Sequence, residues 1–333
     1  MVGNMKKTQI LFLLVGSALL ALLFIVFDIR EMVKQIITFG DKFWICVVIY
    51  LPNHILMAYG WMVLVSFKLR AKDFFRILLA RIAGDATTTF NAAASIAGEA
   101  LKAIYIQDIV PFKIGLASVV MDRLIHVTGS ILLILTGIFI GFFKLDLPLW
   151  SMGVMFLIFM AILLLLFFII RKQRSGFLAF VIGKFPLFLR KRILSGERAK
   201  KIASLDQEIG LIFRNRKNLN HFYISLFMHT IPVLISGTIE IYVIMKFAGG
   251  NATILDSMFV YLFGLFIAAV TFFVPLNIGT SEGSYVIALY FLGYPNKELG
   301  VTIGFIRRIR SILWSGIGLA LLFHKGLVGG EKR

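Results

Sequence analysis

Apolar residues fill the chain in long runs, broken by short polar and basic stretches. Six runs have the length of a full bilayer crossing, which takes about 20 residues of helix: Thr8–Phe27, Phe43–Phe67, Lys113–Phe143, Leu149–Ile170, His221–Phe247 and Lys297–Phe323. Two further apolar regions are interrupted. Ile77–Ile106 contains Gly84-Asp85, the run Thr87-Thr88-Thr89 and Gly98-Glu99, and Asp256–Gly293 contains Pro275, Asn277, Gly279 and Glu282. Each divides into two pieces shorter than a comfortable span. Irregular backbone at membrane depth survives only when buried in protein or lining a wet cavity, so each region reads as a re-entrant pair of half-helices. The expected fold is an all-α polytopic integral membrane protein, with about six full spans and two re-entrant half-helix pairs in an inverted repeat. Two short full crossings in place of each pair would give ten helices and return the chain to the same side.

Loop charge sets the orientation, because Lys and Arg concentrate on the cytoplasmic side. Lys6 and Lys7 place the N-terminus inside, Asp28–Lys42 lies outside with three bases and three acids, and Lys68, Arg70, Lys72 and Arg76 mark an inner loop. If both awkward regions dip in and return, Arg171–Asn220 falls inside, as do Lys325, Lys332 and Arg333. Both termini are then cytoplasmic in a multi-pass cell membrane protein. The first repeat unit covers 43–143 and the second 221–323, inverted relative to each other, within one transmembrane domain over 1–333. Such an arrangement is common in secondary transporters.

The 171–220 segment carries 13 bases against 3 acids. Phe177–Leu189 and the stripe Ile202, Leu205, Ile209, Ile212, Phe213 read as interfacial helices on an anionic leaflet. Anionic lipid headgroups, not nucleic acid, are the expected partner of this loop.

Composition agrees. Of 333 residues 59% are hydrophobic, 16% are charged and 33 are Phe, with a mean hydropathy of +0.91. Soluble domains carry about 25% charge. Thr8–Phe27 leads into a charged stretch with no small-residue cleavage site and so reads as an anchor. A single cysteine, Cys46, excludes an internal disulfide and a cysteine-based metal site. The five His residues show no metal spacing. No phosphate-cradling Gly-rich loop ending in Lys-Ser/Thr is present, nor a placeable Ser/His/Asp or Cys/His set. We expect no cofactor, no metal and no assignable catalytic residue.

One polar pattern occurs twice. Glu99 is followed by Pro111 twelve residues on and by Arg123 twelve further; Glu282 is followed by Pro295 after thirteen and by Arg307 after twelve more. Ionisable groups at membrane depth cost roughly 2.5–3.5 kcal/mol each on insertion scales and usually face a partner or a cavity. Interrupted segments in matching places of two halves point to a transporter's binding site. Gly98 and Gly279 would free the N–H groups of the half-helices that follow, and helix N-termini favour anions. Lys102 is at i+3 from Glu99 and shares its helical face. Asp122 and Arg123 lie deep in a span, with His126 at i+4 from Asp122. An Arg fork suits phosphate. Arg307, Arg308 and Arg310 cluster at one depth, with Arg307 and Arg310 on one face and at least one of the three expected to snorkel to an interface. The expected substrate-binding set is Glu99, Lys102, Asp122, Arg123, Glu282, Arg307 and Arg308, with Gly98, Pro275 and Gly279 shaping the half-helices. Each ionisable member could equally serve an internal ion pair. Glu240, deep in its span, reads as the partner of an Arg from another helix. His54, beside Pro52 and Asn53, marks a kink. Gly137 and Gly141 form a GxxxG, a signal either for self-association or for packing within the bundle.

Ala97-Gly98-Glu99-Ala100-Leu101-Lys102, Val119-Val120-Met121-Asp122-Arg123, the stretch Pro275 to Glu282 and the Arg307 region together resemble the lysylphosphatidylglycerol synthase transmembrane-region family, also called flippase-like. That family usually has Arg where Lys102 stands, often a Pro at the position of Ala94 or Ser95, and Glu where Asp122 stands. Charge is kept at both ionisable positions, but a Lys does not grip phosphate bidentately. The resemblance implies lipid handling. In multiple peptide resistance factors such a domain moves aminoacylated phosphatidylglycerol to the outer leaflet, while a separate soluble domain adds the amino acid from tRNA. This chain ends about ten residues after its last expected span, so that soluble domain is expected to be absent and a separate lipid-modifying enzyme is an expected partner. Other relatives act on polyprenol-linked lipids. The leading expectation is a translocase for an anionic or aminoacylated phospholipid or a polyprenyl-phosphate lipid. The alternatives are a membrane-embedded headgroup transferase, or its accessory subunit, and an ion or small-solute transporter with Glu240 as a proton site.

Overall fold

The computed structural model describes residues 30, 34, 37–88, 92–173, 203, 216–274, 277–296 and 298–330, and these residues form helices and connecting turns without a strand. The expected span Thr8–Phe27, the interfacial segments of the basic loop (Phe177–Leu189 and 202–213) and Pro275 lie outside the described residues. Nine α-helices are described: α1 Phe43–Leu64, α2 Asp73–Thr88, α3 Ala92–Tyr105, α4 Phe112–Lys144, α5 Leu149–Gln173, α6 Arg216–Phe247, α7 Ile254–Val270, α8 Thr280–Phe291 and α9 Glu298–Gly330. Among the described residues four stretches are long and apolar enough to cross a membrane: Ile37–Leu64, Phe112–Lys144, Leu149–Ile169 and Leu219–Phe247. α9 has the length at 33 residues, but Arg307, Arg308 and Arg310 interrupt it, and it is not among the four.

The interrupted regions become short helices. α2, α3, α7 and α8 have 16, 14, 17 and 12 residues. At 1.5 Å per residue none spans the roughly 30 Å hydrocarbon core alone. α1–α4 therefore run long, short, short, long, and α6–α9 repeat that succession. The long helices α1 and α6 pack along each other, and α4 and α9 reach across: α4 packs on α7 of the other set, and α9 on α2.

The ends of each short pair meet. Arg76, in the first turn of α2, pairs with Asp108 just beyond α3, at the end where α4 begins. Asp256, in the first turn of α7, accepts from the Tyr294 hydroxyl just beyond α8 at 2.8 Å and pairs with Lys144 at the last residue of α4 at 2.9 Å. The α2–α3 pair and the α7–α8 pair thus open at opposite ends of α4.

Local chemistry sets the boundaries. Val65 leaves α1 in an extended conformation, and the N–H of Arg70 donates to Asp73 at the start of α2. At α7 the Thr253 hydroxyl accepts from the N–H of Asp256 while the Asp256 carboxylate accepts from the N–H of Thr253, a reciprocal cap. Gly279, with φ +76°, turns the chain into α8, a conformation that a Cβ disfavours. α1 carries Pro52 inside it and continues as helix to Leu64.

Helices approach closely at glycines. Gly137 lies against Leu262 of α7, and Gly141 against Phe259, so the GxxxG serves α4–α7 packing within the chain. A Cβ at Gly300 would strike the backbone of Val286 in α8, 2.5 Å from its N. α5 differs from the rest: it packs on α4 and exposes Trp150, Phe156, Leu157, Leu164 and Phe167, the surface that lipid tolerates.

Candidate functional site

The interior of these helices holds two groups of charges. The first draws on α2, α3, α4 and α6. Arg81 Nη1 donates to both carboxylate oxygens of Asp122, at 3.1 and 2.9 Å, and Arg81 Nε lies 3.5 Å from Asp85 one turn along α2. Lys102 Nζ is 2.6 Å from Asp85 and 3.3 Å from Glu99. His229 of α6 places Nε2 2.8 Å from Asp122 Oδ1. Arg123 approaches Glu99 only to 3.9 Å, and its side chain is 45% exposed. Arg81, Lys102 and Asp122 are buried. An unpaired charge there would be strongly destabilising, and the short helices bring the neutralising partners together from four elements.

The second group draws on α6, α8 and α9. Glu240 receives Arg307 at 3.0 Å and Arg310 at 2.8 Å. Glu282 receives Arg308 at 2.6 Å, and its other oxygen accepts from the N–H of Gly279 and from the Ser281 hydroxyl, each at 3.0 Å. Both glutamates are buried. Arg307 stacks near the rings of Tyr261 and Tyr285, and Arg310 lies 3.9 Å from the centre of the Tyr50 ring, so cation–π attraction adds to the ion pairs. Three cations face two anions in this group.

The expected residues fall on these groups as follows. Glu99, Lys102, Asp122 and Arg123 join the first; Glu282, Arg307 and Arg308 join the second. Gly98 is not at a half-helix start. It is the seventh residue of α3, because the small residues before it continue the helix instead of breaking it. Gly279 does precede its helix, and the carboxylate of Glu282 takes its amide. None of Arg307, Arg308 and Arg310 snorkels: each finds a buried glutamate, which removes the reason to reach for an interface. Glu240 does hold arginines of another helix. Asp122 faces Arg81 and His229 instead of His126 at i+4. Pro52 lies within a continuous α1, where Asn53 donates to Ser236 at 2.6 Å and the His54 ring lies on Trp314. Arg81 and Asp85 went unassigned in the sequence, although their i,i+4 spacing inside an apolar stretch is a legible signal. Among the described residues no group of three or more His, Cys, Asp or Glu is arranged to hold a metal ion.

A family model for the lysylphosphatidylglycerol synthase TM region matches residues 9–318. The chain belongs to that family. No curated protein and no solved structure among those compared matches it. Membership makes this a membrane protein with a lipid-related function. The Lys102 stem runs against Gly84, where a Cβ would collide with it, and its compact ammonium reaches two carboxylates.

At the α7–α8 mouth, Lys144, Asp146, Asn251, Asp256, Tyr294 and Asn296 line an open crevice of about 690 Å³. Burial and its bond to Asp256 push the Tyr294 phenol above the usual tyrosine range.

Proposed function

We propose that the protein is a lipid translocase of the cell membrane, moving an anionic or aminoacylated phospholipid or a polyprenyl-phosphate lipid between leaflets. The observation that carries the reading is the cation surplus of the second charge group, Arg307, Arg308 and Arg310 against Glu240 and Glu282. A surplus buried cation invites an anion, and an Arg fork matches a phosphodiester. Arg123, the most exposed charge of the first group, supplies a second phosphate contact. Glu99 and Glu282 balance these cations or meet a cationic headgroup, and the acyl chains stay in the bilayer.

In this reading α2–α3 and α7–α8 are inverted re-entrant pairs, entering from opposite faces as their mouths at opposite ends of α4 favour. The α2–α3 mouth is cytoplasmic, both termini are inside, and the basic 171–220 segment rests on anionic headgroups. A separate enzyme supplies the modified lipid.

The test is lipid movement in proteoliposomes. A headgroup-labelled fluorescent phosphatidylglycerol is quenched from outside, and the protected fraction is followed with wild type, Arg123→Ala and Glu282→Gln. Wild type is expected to remove the protected half and Arg123→Ala to retain it while remaining folded and inserted. Normal movement in Arg123→Ala sinks the assignment. A second reading, a headgroup transferase or its accessory subunit, is favoured by the synthase in the family's name. Product formed by purified protein from a labelled aminoacyl donor would establish it.

A further inference from the structure

His54 of α1 and Trp314 of α9 make a polar demand that their neighbours do not meet. His54 Nε2 and Trp314 Nε1 are both buried, and neither finds a hydrogen-bond partner among the described residues. A buried donor without an acceptor is costly, and each such exception calls for a cause. The two rings lie together, with 4.5 Å between their centres. They are one rung of a ladder between α1 and α9. One turn away on each helix, the Arg310 guanidinium lies over the Tyr50 ring. His54 also feels the charges of Asp85, Arg81 and Lys102 from the first charge group and of Arg310 from the second, so this rung stands between the two groups. Gly318, one turn beyond Trp314, lies against Ile82 and Ala86 of α2, the stretch that carries Asp85. Space opens beside Asp85: 29% of its side chain is accessible, although Arg81 and Lys102, which pair with it, are buried.

We propose that His54 and Trp314 recognise hydroxyl groups on the headgroup of the lipid whose phosphate the α9 arginines hold. The ligand assignment rests on the translocase reading; the unmet demand of the two rings does not. An indole N–H only donates, whereas an imidazole with one hydrogen presents one donor and one acceptor. A hydroxyl both donates and accepts, so neighbouring hydroxyls can accept from Trp314 and donate to His54. A phosphodiester oxygen only accepts and leaves the bare ring nitrogen unanswered. An alkyl or ammonium headgroup offers Trp314 no acceptor. The accessible face of the Asp85 carboxylate can take a hydroxyl hydrogen as well. Reach agrees with this placement. Trp314 is four residues past Arg310, roughly 6 Å along α9, a step that a three-carbon headgroup covers from a phosphate held at the arginines.

Competition between two lipids tests the site. Phosphatidylglycerol and phosphatidylpropanol with matched acyl chains carry the same charge and the same number of headgroup carbons, and only the first has headgroup hydroxyls. The purified protein in detergent is equilibrated with an equimolar mixture, and bound lipids are counted by native mass spectrometry. Wild type is expected to favour phosphatidylglycerol about tenfold, the gain from about one net hydrogen bond. Trp314→Phe and His54→Phe each keep a ring and remove its polar atoms, and each is expected to lower the preference to about threefold or below. Both lipids compete in one sample, so unfolded protein lowers both signals without moving the ratio, and either variant suffices should the other not fold. Equal binding by wild type leaves the two nitrogens to ordered water and overturns the site, as does a full preference kept by both variants. Binding of neither lipid overturns the phosphate reading and the ligand assignment with it. A preference in binding, with no movement of either lipid in proteoliposomes, overturns translocation and leaves the hydroxyl site standing.

Discussion

Arg81 sits where four helices converge, and its guanidinium is what allows Asp122 and Asp85 to be charged in the same interior. Removing one member of a buried ion pair costs more than the pair contributes, because the survivor stays desolvated. Arg81→Met, close in volume but uncharged, is therefore expected to destabilise the protein by about 3–5 kcal/mol, read as a lowered unfolding midpoint in detergent. A shift near zero would mean that Lys102 and His229 neutralise Asp122 and Asp85 unaided. The sequence marked most members of this group as costly charges in apolar runs. It did not mark their partners. Asp122 and His229 are 107 positions apart, and the choice of His229 over His126 depends on which helix lies opposite Asp122.

Among the elements, the junction of α8 and α9 leaves no room for an added side chain. Gly300 faces the backbone of Val286, and backbone cannot rotate out of the way as a side chain can. Gly300→Ala is expected to push α8 from α9 and cost about 1–3 kcal/mol, loosening the seat of Glu282 against Gly304. Gly153→Ala on α5, where nothing lies within 4 Å, is expected to leave stability unchanged or raise it by up to about 1 kcal/mol. Denaturation of the two variants side by side checks both; equal stability would contradict the α8–α9 contact. The interruption of the two short-helix regions was legible, because Gly279, Asn277 and the polar runs stand out against apolar flanks. The precise breaks were not. Gly98 lies inside a helix since alanines precede it, whereas Gly279 takes a positive φ and ends the turn.

Across the whole molecule, the surface that meets lipid is set by how α4 and α9 cross between the two sets of helices. α5 stays outside that crossing, with Trp150 73% exposed, and α1 turns Trp44 outward at 59% while Trp61 is fully buried. In single-tryptophan variants reconstituted with brominated lipid, Trp44 and Trp150 are expected to be quenched and Trp61 to be spared, its indole N–H donating to Ser118 at 3.1 Å. Quenching of Trp61 would show that lipid reaches between α1 and α4, against the packing described.

The apolar runs alone determined that the chain is helical and membrane-embedded, because runs of about 20 apolar residues match a spanning helix, whereas a barrel strand takes about 9–11. The spacing of Glu99, Arg123, Glu282 and Arg307 alone marked two matched regions that carry charge within apolar sequence. Tertiary structure decided the rest: that Glu240 holds Arg307 and Arg310, that Glu282 takes the amide of Gly279 at the start of α8 while pairing with Arg308, and that His229 of α6 lies beside Asp122. The reason is physical. Burial of apolar surface is roughly additive along a chain and so can be read from it. An ion pair has an energy only once two distant residues are brought within a few ångströms in a medium too apolar to solvate either one alone.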